Sequence, residues 1–332
     1  MHRSLRAVLR CLTHAAVVAT LAVGASGPVL AQAAYPSKPI RWIVGYPPGG
    51  GTDYLARTVA AQMAEQLKQP ILIENKPGAA GMIGADAAAK AEPDGYTLFT
   101  ADNGILVYNP ALYKKISYNP ERDFAPLGLI ARVPLIVVAA PNAGIKTAAE
   151  FADTLKRNPG RLSYASPGNG SPHHLAMELL KNQAGLFVVH VPYRGAAPAM
   201  QDVMGGQVPL MVVDASSAMT HIKSGKLVPL MHFSAKRMAQ LPEVPTAMEL
   251  GYKGVEAYAW QGLVVPAATP APVRERLSRE MQAAVANPAV RKKLIDAGWD
   301  PIQSDAQLMA VYAMAETRKW HKLIKDRGIT AE

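Results

Sequence analysis

Short apolar runs alternate along this chain with longer amphipathic stretches. Residues 40–44 read as a strand, followed by a glycine-rich turn and a helix from about Thr52. Leu55, Val59, Met63 and Leu67 recur at every fourth position and give that helix one apolar face. Apolar runs at 71–73, 96–99, 135–139, 162–165, 187–191, 210–213 and 227–231 predict further strands. Helices are predicted at 83–90, at 147–156 and from Ser171, and 255–265 reads as extended. The last third is helical. There, Thr269-Pro270 predicts an N-cap with proline in the first turn, and Ser304 with Gln307 predicts a capping box. Gly328 follows Lys325 and Arg327, as at a helix C-terminus. Alternating strands and helices predict an α/β fold with largely parallel sheets.

The length of 332 residues suits two domains rather than one small core. Yet no low-complexity linker or internal repeat separates them, so the chain is expected to cross between two lobes more than once. With 49% hydrophobic and 18% charged residues, the composition excludes disorder. The formal charge is +10, but Arg3, Arg6 and Arg10 sit in a front segment without an acid; beyond it, 32 basic residues face 25 acidic ones. The longest Lys/Arg run, Arg291-Lys292-Lys293, is three residues and the other basic residues are scattered, which argues against a nucleic-acid partner.

Residues 1–33 read as a secretory signal peptide. The three arginines form the charged region, 15–23 the short apolar region, and Ala31-Gln32-Ala33 the cleavage site. The expected mature N-terminus is Ala34, with a cut after Ala31 as the alternative. Cys11, the single cysteine, lies inside this segment and ahead of the apolar region, so it is not a lipoprotein anchor. The mature chain is then expected to hold no disulfide and no cysteine-bound metal.

Four polar turns follow predicted strands. The first is Gly45-Tyr46-Pro47-Pro48-Gly49-Gly50-Gly51-Thr52-Asp53. Its glycines let backbone N–H groups approach a ligand, and a helix N-terminus favours an anion. Gly51 stands where a P-loop needs lysine, which excludes an NTPase. Thr52 and Asp53 can equally cap a tight strand-to-helix turn. The second turn, Ser166-Pro167-Gly168-Asn169-Gly170-Ser171-Pro172-His173-His174, repeats the arrangement, with Ser171 as N-cap before Pro172. A rival reading is an exported hydrolase acting through Ser171 and His174. However, the order Gly-Asn-Gly-Ser is not a nucleophile elbow. His173 and His174 are adjacent, so on a helix they diverge by about 100° and form no metal face. The third turn carries Tyr193 and Arg194, where the guanidinium could pair with a carboxylate or form a surface ion pair. The fourth carries Asp214, which could face a ligand or cap the next helix. Ligands of open α/β sheets sit at such strand ends.

Taken in order, the motifs resemble one family. They run Tyr35-Pro36-Ser37-Lys38-Pro39-Ile40, Pro47 to Asp53, Glu74-Asn75-Lys76-Pro77-Gly78, Pro93-Asp94-Gly95-Tyr96, Asp123-Phe124-Ala125-Pro126, Gly168 to Ser171 with His174-Leu175, Tyr193-Arg194-Gly195, and Gly262-Leu263 before Pro266. This set is similar to the substrate-binding receptors of tripartite tricarboxylate transporters, the Bug family, over the whole mature chain. The resemblance implies a type II periplasmic binding protein fold, two lobes joined by crossing strands that close like a Venus flytrap. The lobes would be 34–133 plus 244–332, and 134–243. It implies a periplasmic receptor, not an enzyme, with no cofactor and no metal. The ligand would be a small organic acid: a mono-, di- or tricarboxylate, an amino acid or an aromatic acid. The implied partners are that ligand and the permease subunits of a tripartite transporter, with the receptor itself a monomer. Tyr46, Gly50, Thr52, Asp53, Ser166, Asn169, Gly170 and Ser171 would form a carboxylate clamp, with Tyr193, Arg194 and Asp214 nearer the variable end of the ligand. One segment departs from the family: Ala101-Asp102-Asn103-Gly104-Ile105 stands where members often carry a small-residue turn with a histidine.

Overall fold

The computed structural model describes residues 35–331. The expected signal segment, its expected cleavage site and Cys11 lie outside the described residues. Among the described residues, ten strands form one continuous sheet: β1 (Ile40–Val44), β2 (Ile71–Asn75), β3 (Thr97–Asp102), β4 (Phe124–Ala139), β5 (Ser163–Ser166), β6 (Val189–Pro192), β7 (Leu210–Asp214), β8 (Val228–His232), β9 (Tyr258–Pro266) and β10 (Asp300–Pro301). The order is β2-β1-β3-β9-β4-β7-β5-β6, with β8 and β10 also paired to β4.

Each end of this sheet is parallel. β1 lies between β2 and β3, and β5 lies between β6 and β7, all in parallel. The middle is antiparallel, because β9 runs against β3 and β4, and β4 runs against β7 and β8. The expectation of largely parallel sheets therefore holds for the two ends only. β4 is the element that joins them: its residues 124–134 pair with β9, and its residues 135–139 pair with β7 and β8. Sequence pattern revealed only its last five residues. Pro126, Gly128 and Pro134 interrupt the apolar run, and the strand accommodates them through register shifts at Pro126/Gly128 and Leu129/Ala131.

The principal helices are α1 (Gly51–Leu67), α2 (Met82–Ala89), α3 (Ala148–Arg157), α4 (Pro172–Ala184), α5 (Ala196–Met204), α6 (Ala215–Lys223), α7 (Ala271–Ala286), α8 (Pro288–Asp296) and α9 (Ala306–Arg327). The apolar face of α1 packs against β2 and α7, and Leu55, Val59 and Met63 are fully buried. Each such side chain contributes about 1.5–3 kcal/mol by leaving water. Thr147 forms a full capping box with Glu150 at the start of α3. Ser171 caps α4 as expected, and Gly328 ends α9 in the left-handed region at φ 59°.

Two predicted caps moved. α9 is capped by Asp305, whose carboxylate accepts from the Leu308 N–H, while the Ser304 hydroxyl accepts from the Leu129 N–H of β4. At α7 the residue before the helix is Pro270, and Thr269 is buried with its hydroxyl unbonded. At α9 a tertiary neighbour, the Leu129 N–H, and not the local spacing decided which polar group faces the helix end.

Candidate functional site

The first turn is held by close packing. A Cβ on Gly45 would stand 3.2 Å from the Cα and carbonyl oxygen of Gly81, so the β1 end lies directly on the 78–84 segment. α1 begins at Gly51, with Gly50 as its N-cap residue and no side-chain cap. Its first amides therefore have no acceptor within the helix. Thr52 is one residue inside the helix and does not cap it; its Oγ1 accepts from Gln261 Nε2 at 3.1 Å.

Asp53 braces the turn. Its carboxylate accepts from the Gly49 N–H (2.9 Å), Arg57 Nε (2.9 Å) and Asn75 Nδ2 (2.9 Å). Burial pushes its pKa upward, but these hydrogen bonds outweigh it and hold the group below the usual carboxylate range. With both oxygens engaged inside the turn, Asp53 braces the loop. Tyr46 donates its hydroxyl to Asp102 Oδ2 at 2.5 Å.

The second turn is satisfied largely by itself. Ser166 Oγ contacts His190 Nε2 at 2.7 Å and accepts from the Gly168 N–H. Ser171 donates to the Gly168 carbonyl (2.7 Å) and accepts from the His174 N–H (3.3 Å). Gly170, at φ +72°, donates its N–H to His174 Nδ1. Asn169 Nδ2 donates to the Thr330 carbonyl, tying the turn to the C-terminal segment. The pair proposed for a hydrolase is thus not assembled. The Ser171 proton goes to a carbonyl, and the His174 ring stacks on His190 with centroids 3.9 Å apart. Burial, reinforced by Lys181, holds His174 at a pKa of about 4.

The third turn joins the second through the Tyr193 N–H to Ser166 O and Gly195 N–H to Pro167 O bonds. Tyr193 donates its hydroxyl to Asp202 at 2.6 Å, and Burial, with this acidic neighbour, pushes its pKa up to about 12. Arg194 is exposed, and no hydrogen bond or ion pair engages its guanidinium. Asp214 ends β7 and makes no side-chain cap; its Oδ1 lies 3.1 Å from His173 Nε2 instead.

Two bridges tie these turns together. A Cβ on Gly51 would lie 3.3 Å from the Trp299 ring, and one on the adjacent Gly298 would lie 2.6 Å from Ser216 Cα, just after Asp214. At the other side, a Cβ on Gly170 would lie 2.6 Å from Leu112 Cδ1. Gln261, Trp299 and His190 thus join the site although the sequence reading placed none of them there, and with them Asp102 of the departing 101–105 segment. Only Asp102, at a strand end, carried a sequence signal. A cavity of about 430 Å³ lies elsewhere, beside Leu106, Phe124, Val264, Met309 and Ala313. Among the described residues no cluster of three or more His, Cys, Asp or Glu could hold a metal ion. No helix among them is long and apolar enough to cross a membrane.

The family model "Tripartite tricarboxylate transporter family receptor" matches residues 55–329. Protein BugT of Bordetella pertussis is 32% identical over 306 residues, covering 92% of this chain and 94% of the relative. The structure of R. palustris Rpa4515 with adipate superposes with a TM-score of 0.81 at 31% identity, covering 89% of this chain and 99% of that one. MatC from Rhodopseudomonas palustris with bound malate gives 0.76 at 32% identity, covering 87% and 100%. Sheet order, ordered motifs and these likenesses agree: the chain belongs to the tripartite tricarboxylate transporter receptor family, the periplasmic solute-binding receptors of the Bug type.

Proposed function

We propose that this receptor is exported through its signal segment and holds a small organic acid by a carboxylate between the two glycine-rich turns. The lobes are 34–133 plus 244–332, and 134–243, and β4 and the β9 end are the crossings between them. The observation that carries this reading is the pairing of like turns. Each ends a parallel strand and opens a helix, and they sit on opposite sides of β4 in the sheet order. The α1 amides and the Thr52 hydroxyl supply donors from one lobe; Ser171 and the α4 start supply them from the other. Because the second turn bonds to itself, its donors reach a ligand by exchanging internal bonds or through water. Arg194 supplies a free positive charge for a distal group.

The bound adipate and malate of the two relatives are small carboxylates, and the ligand here is of the same broad class. The monomer would deliver it to the permease subunits of a tripartite transporter. A thermal-shift screen of mono-, di- and tricarboxylates, amino acids and aromatic acids tests the reading. An acid at ~100 times its Kd stabilises the protein by roughly 2.7 kcal/mol. A complete absence of shift across the acids, confirmed by calorimetric titration, would refute it.

A further inference from the structure

Asp102 and Gln261 are direct partners across the antiparallel β3–β9 pair, so their side chains emerge on the same face. Both are buried, at 6% and 5% exposure. Each touches a residue of the first turn, and together they determine which hydrogen-bonding roles that turn has left.

Asp102 accepts from Tyr46 through Oδ2 and from the Ile105 N–H through Oδ1. A carboxylate cannot donate, so the Tyr46 proton is committed to it and the phenol oxygen keeps only acceptor capacity. Gln261 Nε2 donates to Thr52 Oγ1, which directs the Thr52 proton elsewhere, toward an acceptor such as a ligand carboxylate. Gln261 Oε1 is buried and has no hydrogen-bond partner. A buried acceptor left unmade is costly and calls for a donor.

The first turn and the β9 residue Gln261 therefore present donors for a carboxylate together with two acceptors, the Tyr46 oxygen and Gln261 Oε1, that no donor engages. The Asp102 charge selects between possible donors. No Lys or Arg among the described residues forms an ion pair with it. Burial is the main cause that raises its pKa, against the Tyr46 hydrogen bond. A cation bound nearby would relieve that desolvation.

We infer that the ligand carries a protonated amino group next to its carboxylate, received by Gln261 Oε1 and the Tyr46 oxygen in the field of Asp102. The ligand class is thus amino acids rather than unsubstituted carboxylic acids. This inference rests on the receptor reading above. Gln261 and Tyr46 are assigned as contacts, and Asp102 as a positioning residue that acts through Tyr46.

Calorimetric titration of acids that differ only in the donor tests it: succinate, malate and aspartate; glutarate and glutamate; propionate and alanine; phenylpropionate and phenylalanine. In the skeleton that fits, the amino acid should bind tighter than the unsubstituted acid by roughly 10- to 150-fold, the range for a hydrogen bond to a charged group. Gln261→Met and Tyr46→Phe should each narrow that ratio, whatever they do to the unsubstituted acid. Asp102→Asn, which keeps an acceptor for Tyr46, should narrow the preference for amine over hydroxyl, a change that a merely structural role would not produce. Melting temperatures recorded alongside show that each variant is folded, and Tyr46→Phe carries the test if Gln261→Met is not. A ratio of one or less in every binding skeleton, as when water already satisfies Gln261, overturns the inference and leaves the receptor reading intact. Tighter binding of the hydroxy acid than of the amino acid overturns it too. Failure of every acid to bind removes both readings.

Discussion

Lowering the pH from about 7.5 to about 5 should destabilise the protein through His174. The imidazole is stacked on His190, accepts the Gly170 N–H through Nδ1, and lies 4.0 Å from a Glu178 oxygen. That carboxylate is already held by Lys181 and by Arg327 at 3.0 Å. Burial first, and Lys181 second, keep His174 neutral, with a pKa of about 4 against 6.5 when unfolded. The folded pKa of this base is lowered, so its stabilising contribution is fully present above 6.5. It is lost as the pH falls and levels off near 4. At pH ~5 the unfolded imidazole is almost fully protonated and the folded one is not, a difference of roughly 2 kcal/mol. For a chain of this size that is a melting-temperature change of about 3 °C. His190, held at about 3 by burial and by His174, adds a loss of the same sign. The assay is calorimetry or urea unfolding at both pH values for wild type and His174→Asn. The Asn oxygen can take over the Gly170 N–H while removing the titrating ring. The variant should lose about 2 kcal/mol less between the two pH values. Equal losses in the two proteins would refute the reasoning, because His232, also lowered by burial, is common to both and cancels.

Removing the acid of the same cluster, Glu178→Ala, should cost about 3–5 kcal/mol by leaving Lys181 buried without its partner, and adding Lys181→Met should recover most of it; urea unfolding reads both. Gly128→Ala should cost about 2–5 kcal/mol, since its Cβ would stand 2.3 Å from the Ser304 carbonyl oxygen at φ +152°, and melting temperature checks this. Ser171→Ala should lose about 1 kcal/mol of stability through the α4 cap and about 10-fold or more in acid affinity, measured by unfolding and titration side by side. Hinge closure should reduce the radius of gyration in small-angle scattering when a binding acid is added; an unchanged value would mean that the lobes do not move.

Much of this molecule is local and was legible as pattern. The stripe Leu55, Val59, Met63 and Leu67 needs only helical periodicity to find the core, and all four are buried. Ser171-Pro172 and Gly328 mark helix ends because capping depends on neighbours within one turn. The glycine-rich turns likewise announce strand-to-helix transitions whatever surrounds them. Tertiary structure decided the partners of the polar groups. Thr52, read as a cap, bonds to Gln261, 209 residues away, and Ser304 serves Leu129 while Asp305 takes the cap. Asp53 turned inward because Arg57, Asn75 and Gly49 converge on it. β4 was hidden because its two prolines break the apolar run, and only the strands on either side make its full length extended. A side chain's burial follows from the period of its own segment, but a hydrogen bond goes to the best placed of several competing partners. For Thr52, Asp102, Gln261 and Trp299, the residues that meet them lie far off in sequence and are brought near only by the sheet order.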